Sequence, residues 1–471
     1  MRVESMHFKA RAHDALANPV LQANLAKFGS AGLAQLRARA VEAYGAEAFE
    51  RLRTAGAEIR DRALADLDAY LERFEREATR RGATVLFAAD GAEARDLVLE
   101  ICAVHGIHKA IKSKSMLSEE AGLNEALAAA GVQPVETDLG EYIIQLAAEP
   151  PSHIIAPAVH KSKDEVADLF ATSHGKPRKT DIAQMTREAR EALRAHFLSA
   201  DLGISGGNFL VAETGSGAVV TNEGNGRMVT TLPRVHVCIT GIEKVIPTLE
   251  DFATLLRLLT RSATGQAISN YVSFFTGPRQ AGDRDGPEHM YFILVDGGRT
   301  NLVGTDLAEM LRCIRCGACM NHCPVYKTVG GHAYGWVYPG PMGAVLTPSY
   351  VGLENARDLP YAATLCNQCG VVCPVRIPLP ELLRKLREKE VERGLRPRSE
   401  ILGLRAWSWV AQRPRLYAFA TRWAARVLRL LGGRRRRMRR LLFAGGWTAA
   451  RDFPAPQGAT FRDLYARRQS G

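Results

Sequence analysis

Seven of the nine cysteines fall in two short runs, and their spacing limits what the chain can build there. The first run, CIRCGACMNHCPVY, places Cys313, Cys316, Cys319 and Cys323 in the pattern C-x2-C-x2-C-x3-C-P. This is the spacing of one half of a bacterial two-cluster ferredoxin. Three thiolates two residues apart wrap one face of a cubane, and the fourth, followed by Pro324, leaves the loop for a different cluster. The second run, CNQCGVVCPV, repeats the pattern with Cys366, Cys369 and Cys373, but Ala363 stands where its first cysteine would be.

Crossed ligation assigns Cys313, Cys316, Cys319 and Cys373 to one [4Fe-4S] cluster. Cys323, Cys366 and Cys369 then hold a second cluster that is one ligand short. It is either [3Fe-4S], or [4Fe-4S] with water, substrate or a distant side chain on its unique iron. Structural zinc closes a tetrahedron with four Cys or Cys/His ligands. It explains neither the three-thiolate run nor the two Cys-Pro ends, so two iron–sulfur clusters are the expected cofactors.

Composition fits a globular chain, with 46% apolar and 24% charged residues. The net charge of +12 is unevenly placed. From Arg396 onward there are 18 arginines, no lysine and three acidic residues, a balance of +15 that leaves −3 for everything before it. Arg415, Arg422, Arg426 and Arg429 share one helical stripe beside Leu416, Phe419, Trp423, Val427 and Leu430, and RRRRMRR follows. Such a helix suits an anionic membrane surface, a groove on a partner subunit, or its own protein with the arginines solvated. Nothing else in the chain resembles a nucleic-acid-binding fold, so nucleic acid is not an expected partner. There is no apolar signal segment at the N-terminus and no run of 18 apolar residues. The expectation is a cytoplasmic protein, or one peripheral at the inner face of the membrane.

Periodicity divides the chain into four parts. Residues 1–80 read as helical, with apolar residues at helical spacing, many charges and no proline from Ala31 on. They are expected to serve packing and solubility. Residues 81–300 read as an α/β domain. There ATVLFAAD is a strand, GAEARDLVLEICAVHG a helix, HKAIKSKS a strand and SMLSEEAGLNEALAAAG a helix. VQPVETD, the apolar stretch HIIAPAV and the helices KDEVADLFA and TDIAQMTREAREALRAHFLSA follow. Strands FLVAET, GAVVTN and RVHVCIT are joined by glycine-rich turns at Gly215–Gly217 and Glu223–Gly226, which either cradle an anion or make tight hairpins. Residues 301–395 form the α-helical, ferredoxin-type 4Fe-4S module, ending in a helix that stops at Gly394, and 396–471 the basic helical tail. Cys102 and Cys238 read as inert core thiols, either of which remains available as the missing ligand.

AETGSGAVVTNEGNGR at 212–227, ETDLGEYIIQL at 136–146 and PSHIIAPAVHKS at 151–162 resemble the LUD domain of lactate utilization proteins. With the cysteine runs and the intervening GWVYPGPMGAVLTP, the likeness covers nearly the whole chain and points to the lactate utilization protein B family. The resemblance implies a sugar-isomerase and CoA-transferase-like α/β fold. It also implies the role of iron–sulfur subunit in a three-component L-lactate oxidation complex, with the other subunits as partners. In CoA transferases a glutamate is the nucleophile, which makes Glu213 and Glu223 the candidates here. No cofactor motif or His/Asp partner supports that chemistry, so both read as turn and strand-end residues, and no catalytic residue is assigned. His153 and His160 read as structural. Lys112, Lys114 and Ser115 at a helix start offer a weak anion site.

The function that follows is electron transfer: lactate oxidation to pyruvate releases two electrons, and two adjacent clusters pass them singly to a quinone or cytochrome acceptor. Arg315 and Lys327 are placed to raise the cluster potentials. No strand–GxGxxG–helix fingerprint is present. The rival readings are a LUD-domain enzyme of acyl or sugar-phosphate chemistry with regulatory clusters, a redox-sensing interaction protein, and the same electron carrier serving another 2-hydroxy acid such as glycolate.

Overall fold

The structure is a computed structural model that describes residues 3–441, 445–448 and 451–470. It divides into a compact unit, Met1–Glu390, and a second unit, Val391–Gly471. The first unit contains ten strands: β1 Thr84–Ala88, β2 Lys109–Lys112, β3 Gln133–Glu136, β4 Leu202–Ser205, β5 Phe209–Val211, β6 Ser216–Thr221, β7 Val235–Gly241, β8 Val245–Ile246, β9 Tyr271–Phe275 and β10 His289–Val295.

Six of them make one sheet in the order β1-β10-β7-β4-β2-β3, all pairs parallel. β7 lies near its middle, and all seven of its residues are buried. This is why VHVCITG reads as an unbroken apolar run: a strand covered on both faces has no solvent side to mark with polar residues. Parallel strands need crossovers, and helix Gly91–His105 supplies the first. Asp90 caps it by accepting from the N–H groups of Ala92 (2.8 Å) and Glu93 (3.0 Å), and Gly106 ends it at φ 59°.

The expected single helix after β2 is two, Met116–Ala121 and Leu123–Ala129, because Gly122 takes φ 66° between them. The HIIAPAV stretch forms no regular element, and LGEYIIQL forms the helix Leu139–Leu146, capped by Asp138.

A second sheet, β8-β5-β6-β9, packs beside the first. The β5–β6 connection through Gly215 is a tight hairpin, closed by Gly215 N–H donating to Val211 O at 3.0 Å. A Cβ on Gly215 would stand 2.2 Å from Ala78 N, so this turn is packed against helix Leu67–Arg80 and leaves no room for an anion. The second turn instead runs into helix Asn225–Thr231.

The N-terminal helices do more than cover the surface. Arg60, 1% exposed on helix Ala46–Ala65, donates to the carbonyls of Val245 and Leu311 at 3.0 Å each and to that of Glu243. One side chain thereby ties the α/β domain to the segment that opens the first cysteine run.

After β10 the chain is helical: Ala318–His322, Pro324–Val329, Gly340–Val351, Gln368–Val372 and Leu379–Glu392, the last followed by Gly394 at φ 68°. In the second unit, helices Arg398–Ala411 and Pro414–Leu431 leave Trp407, Trp409, Phe419 and Trp423 exposed. Arg422 pairs with Asp463 at 2.7 Å. No helix among the described residues is long and apolar enough to cross a membrane.

Candidate metal centre

The backbone of the two cysteine runs is built the same way. Each run carries residues in the left-handed region just ahead of a five-residue helix: Arg315 (φ 57°) and Gly317 (φ 73°) before Ala318–His322, and Leu365 (φ 55°) and Asn367 (φ 64°) before Gln368–Val372. Such turns point successive N–H groups into one concavity, which suits an anionic sulfur. The N–H of Arg315 donates to Cys313 Sγ at 3.4 Å, and that of Ile377 to Cys373 Sγ at 3.3 Å. Backbone N–H groups of Ala318, of Tyr326 and Val325, and of Gln368 serve Cys316, Cys323 and Cys366 in turn.

Helices Ala318–His322 and Gln368–Val372 pack on each other and bring all seven thiols into one region. They fall into two neighbourhoods. Cys373 and Cys313 act electrostatically on Cys316, and Cys313 acts on Cys373. Cys319, raised first of all by burial, senses Cys313, Cys316, Cys369 and Cys373 in that order, and so stands between the two neighbourhoods. Cys366 acts on Cys323, and both act on Cys369. Burial pushes the thiols of Cys316 and Cys369 up to about 12 and that of Cys373 up to about 11. Cys366 alone is exposed and shifted down, by hydrogen bonds from Thr364 and the Gln368 N–H. A bound cation reverses the logic for the buried thiols, because a coordinating sulfur is deprotonated outright.

The donor set fits iron–sulfur clusters. Among the described residues no group of three or more His, Cys, Asp or Glu closes around a single ion, and a cubane asks for no such closure because each thiolate meets a different iron. The Tyr334 hydroxyl is fully buried, has no hydrogen-bond partner among the described residues, and is acted on by Cys323, Cys319 and Cys369. An inorganic sulfide would supply the acceptor it lacks. Trp336, Val337, Tyr338 and Gly340–Pro348, in the Gly-, Pro- and Tyr-rich stretch between the two cysteine runs, are buried. Gly340, at φ 73°, is obligatory: a Cβ there would lie 2.3 Å from Met320 Cγ.

Cys102 and Cys238 sit in the apolar cores of the α/β domain, with thiols pushed up to about 11 and about 12 by burial. Neither stands with the seven, which removes both as the missing ligand. His153 is structural as expected: its Nδ1 accepts from the N–H groups of Ile155 (3.0 Å) and Ala156 (3.1 Å), and its Nε2 bonds Asn321 Oδ1 at 3.0 Å. His160 Nε2 meets Glu149 Oε2 at 2.7 Å. Glu213 Oε2 accepts from Leu249 N–H at the start of helix Leu249–Ala263.

The anion site expected of Lys112, Lys114 and Ser115 does not form as a unit. Lys112 is buried and consumed by Glu136 and Asn124 at 2.6 Å each, and Ser115 caps its helix by accepting from Ser118 N–H. Lys114 and Ser115 both line a cavity of about 280 Å³, and Lys114 Nζ pairs with Glu141 at 3.6 Å.

That cavity lies at the carboxyl ends of β2, β4 and β7, the edge where parallel sheets place their ligands. Glu223 and Asn225 line it, together with Glu243, Lys244, Arg299 and Arg315. Glu243 binds Arg299 Nε at 2.7 Å and Arg315 Nη2 at 3.3 Å, with Lys244 Nζ at 3.9 Å. Burial would raise its carboxyl, but Arg299, Lys244, Arg315 and Arg60 outweigh burial and hold it down at about 2. Lys244 Nζ approaches the carbonyl of Cys313 at 3.4 Å, so this ionic cluster abuts the first cysteine. The sequence reading passed over Glu243 and Lys244, whose one signal was a charged pair inside the apolar run ITGIEKVI.

Comparison with known proteins agrees with this architecture. The LUD domain model matches residues 71–295, a 4Fe-4S dicluster domain model 309–377, and the model for the C-terminal part of lactate utilisation protein B 382–470. "Lactate utilization protein B" of Bacillus licheniformis is 42% identical over the whole of this chain and 98% of its own length, and that of Bacillus subtilis 41% over the same shares. An "uncharacterized electron transport protein YkgF" of Escherichia coli is 38% identical over the whole chain and 98% of its own length. A LUD α/β domain, a dicluster cysteine module and a helical C-terminal part, matched end to end by such relatives, place the chain in the lactate utilization protein B family.

Proposed function

We propose that the chain is the iron–sulfur electron-transfer subunit of an L-lactate dehydrogenase complex that converts lactate to pyruvate. Cys313, Cys316, Cys319 and Cys373 hold a [4Fe-4S] cluster, and Cys323, Cys366 and Cys369 a second cluster, [4Fe-4S] or [3Fe-4S]. The observation that carries the reading is the gathering of two cysteine runs of dicluster spacing into one region by the packed helices Ala318–His322 and Gln368–Val372. When bound, the clusters supply one-electron steps, and hydroxy-acid oxidation delivers electrons in pairs.

The chain's own residues do the rest. Backbone N–H groups hold charge on the sulfurs, Tyr334 donates from a dry interior, and the 330–350 stretch excludes water. Burial and hydrogen bonds of this kind set the reduction potential. The Arg315 guanidinium is engaged by Glu243 and lies over the Tyr338 ring at 4.9 Å, so its influence on the first cluster is shared with a carboxylate. The names of the relatives support lactate utilization as the process and electron transport as the role; partner subunits and a quinone or cytochrome acceptor complete the proposal. Lactate-dependent reduction of the clusters in the presence of the partner proteins, followed by EPR, is the test.

A further inference from the structure

Three residues that line the cavity at the carboxyl ends of β2, β4 and β7 carry buried polar atoms with no hydrogen-bond partner among the described residues. Ser113 is 3% exposed, and its Oγ has no hydrogen-bond partner among the described residues. Asn225 is 8% exposed; its Nδ2 donates to Thr137 Oγ1 at 3.3 Å, and its Oδ1 accepts from nothing described. Lys114 Nζ makes no hydrogen bond among the described residues and has only an ion pair at 3.6 Å to Glu141, whose carboxyl burial pushes upward toward its neutral form. A buried polar atom left unsatisfied is destabilising, so three on residues around one cavity call for a ligand that satisfies them.

Their chemistry defines it. Ser113 and Lys114 are donors that want an anionic acceptor, and the free oxygen of Asn225 wants a donor. An acceptor-only carboxylate next to a hydroxyl has that complement. Arg315 and Lys244, by contrast, already have partners: the Arg315 guanidinium meets Glu243, and Lys244 Nζ the carbonyl of Cys313. At about 280 Å³ the space lies just below the roughly 300–1,000 Å³ of drug-sized sites and admits a small acid.

We propose that this cavity binds a small 2-hydroxy monocarboxylate, its carboxylate on Lys114 and Ser113 and its hydroxyl on Asn225, alongside the segment that carries Cys313. The proposal rests on the assignment of the chain to lactate oxidation and deepens it by giving the substrate class a site on this subunit.

Calorimetric titration of the anaerobically purified full chain, with iron content and visible absorption checked, tests it. L-lactate is expected to bind saturably at one site per chain. Propionate, which lacks the hydroxyl, and pyruvate, which has no donor for Asn225, are expected to bind about tenfold more weakly or worse. Ser113→Ala and Lys114→Met are expected to weaken L-lactate about tenfold at unchanged iron content. Asn225→Ala is expected to abolish the preference for L-lactate over propionate. No lactate binding, binding unchanged in all three variants, or inorganic phosphate binding as tightly as lactate would overturn the proposal. Binding heat needs no electron transfer. A chain that lacks the site but relays electrons would thus bind no lactate and still be reduced with its partners, separating this failure from that of the functional reading.

Discussion

Arg53 Nε donates to the carbonyl oxygen of Cys373 at 2.9 Å, across 320 positions of sequence. Arg53 is 7% exposed and its Nη1 is held by Glu50 Oε1 at 2.6 Å, so the donor is fixed before it meets the second cysteine run. A hydrogen bond from a charged donor contributes about 1.5–3 kcal/mol. Arg53→Met keeps the aliphatic stem and removes the donor. It is expected to lower the thermal midpoint and to speed loss of iron to a chelator, with the α/β domain unaffected; an unchanged release rate would show that the contact does not hold the loop.

Glu243 is a buried carboxylate with Arg299, Arg315 and Lys244 around it and Arg60 on its carbonyl. Removing one partner from a buried ionic group leaves charges unpaired, at a cost of about 3–5 kcal/mol. Glu243→Gln is therefore expected to destabilise the chain by that amount in thermal or denaturant unfolding. Glu120 pairs with Arg299 at 3.0 Å and keeps the loss from being larger.

His236 is fully buried on β7, bonded to Ser205 Oγ at 2.8 Å, and burial lowers its pKa to about 3. In the unfolded chain it titrates near 6.5. Its contribution is thus fully present above pH 6.5 and is lost as pH falls toward 3, because only the unfolded state takes up the proton. The slope is about 1.4 kcal/mol per pH unit in that window. His236→Gln keeps a partner for Ser205 and cannot titrate. The difference in stability between wild type and variant should shrink between pH 6.5 and 4.5, and a constant difference would refute the buried neutral imidazole.

Tyr334 is expected to act on potential rather than on fold. Its hydroxyl lies among the thiols of both sets without a protein acceptor among the described residues. Tyr334→Phe removes one O–H···S bond of about 1 kcal/mol, which for a one-electron couple is roughly 40 mV. A fall of that order in one cluster potential, read by redox-poised EPR, is the expected result, with iron content unchanged.

The cysteine module was legible because cluster-binding runs have a local spacing, and the dicluster domain match covers both of them at 309–377; the crossed grouping of Cys373 with the first run belongs to the proposal. β7 was legible because a strand buried on both faces reads as an unbroken apolar run. What stayed hidden depends on distant compensation. Lys112 reads as a free cation beside a helix start and becomes a buried partner of Glu136 only when β2 and β3 align. Glu243 and Lys244 look misplaced in an apolar run until Arg299 and Arg60 arrive from β10's far end and the N-terminal helices. The cavity has no linear motif, since Ser113, Asn225 and Lys244 are joined only by the sheet edge.

The central claim is that the seven thiols hold two iron–sulfur clusters that accept electrons from lactate oxidation. The direct measurement is iron and acid-labile sulfide content of the anaerobically purified chain, with EPR before and after L-lactate is added with the partner proteins. The account predicts about seven to eight iron atoms per chain and cluster signals that change on lactate addition. A colourless protein holding only zinc, or clusters that lactate leaves untouched when the partners are present, would contradict it.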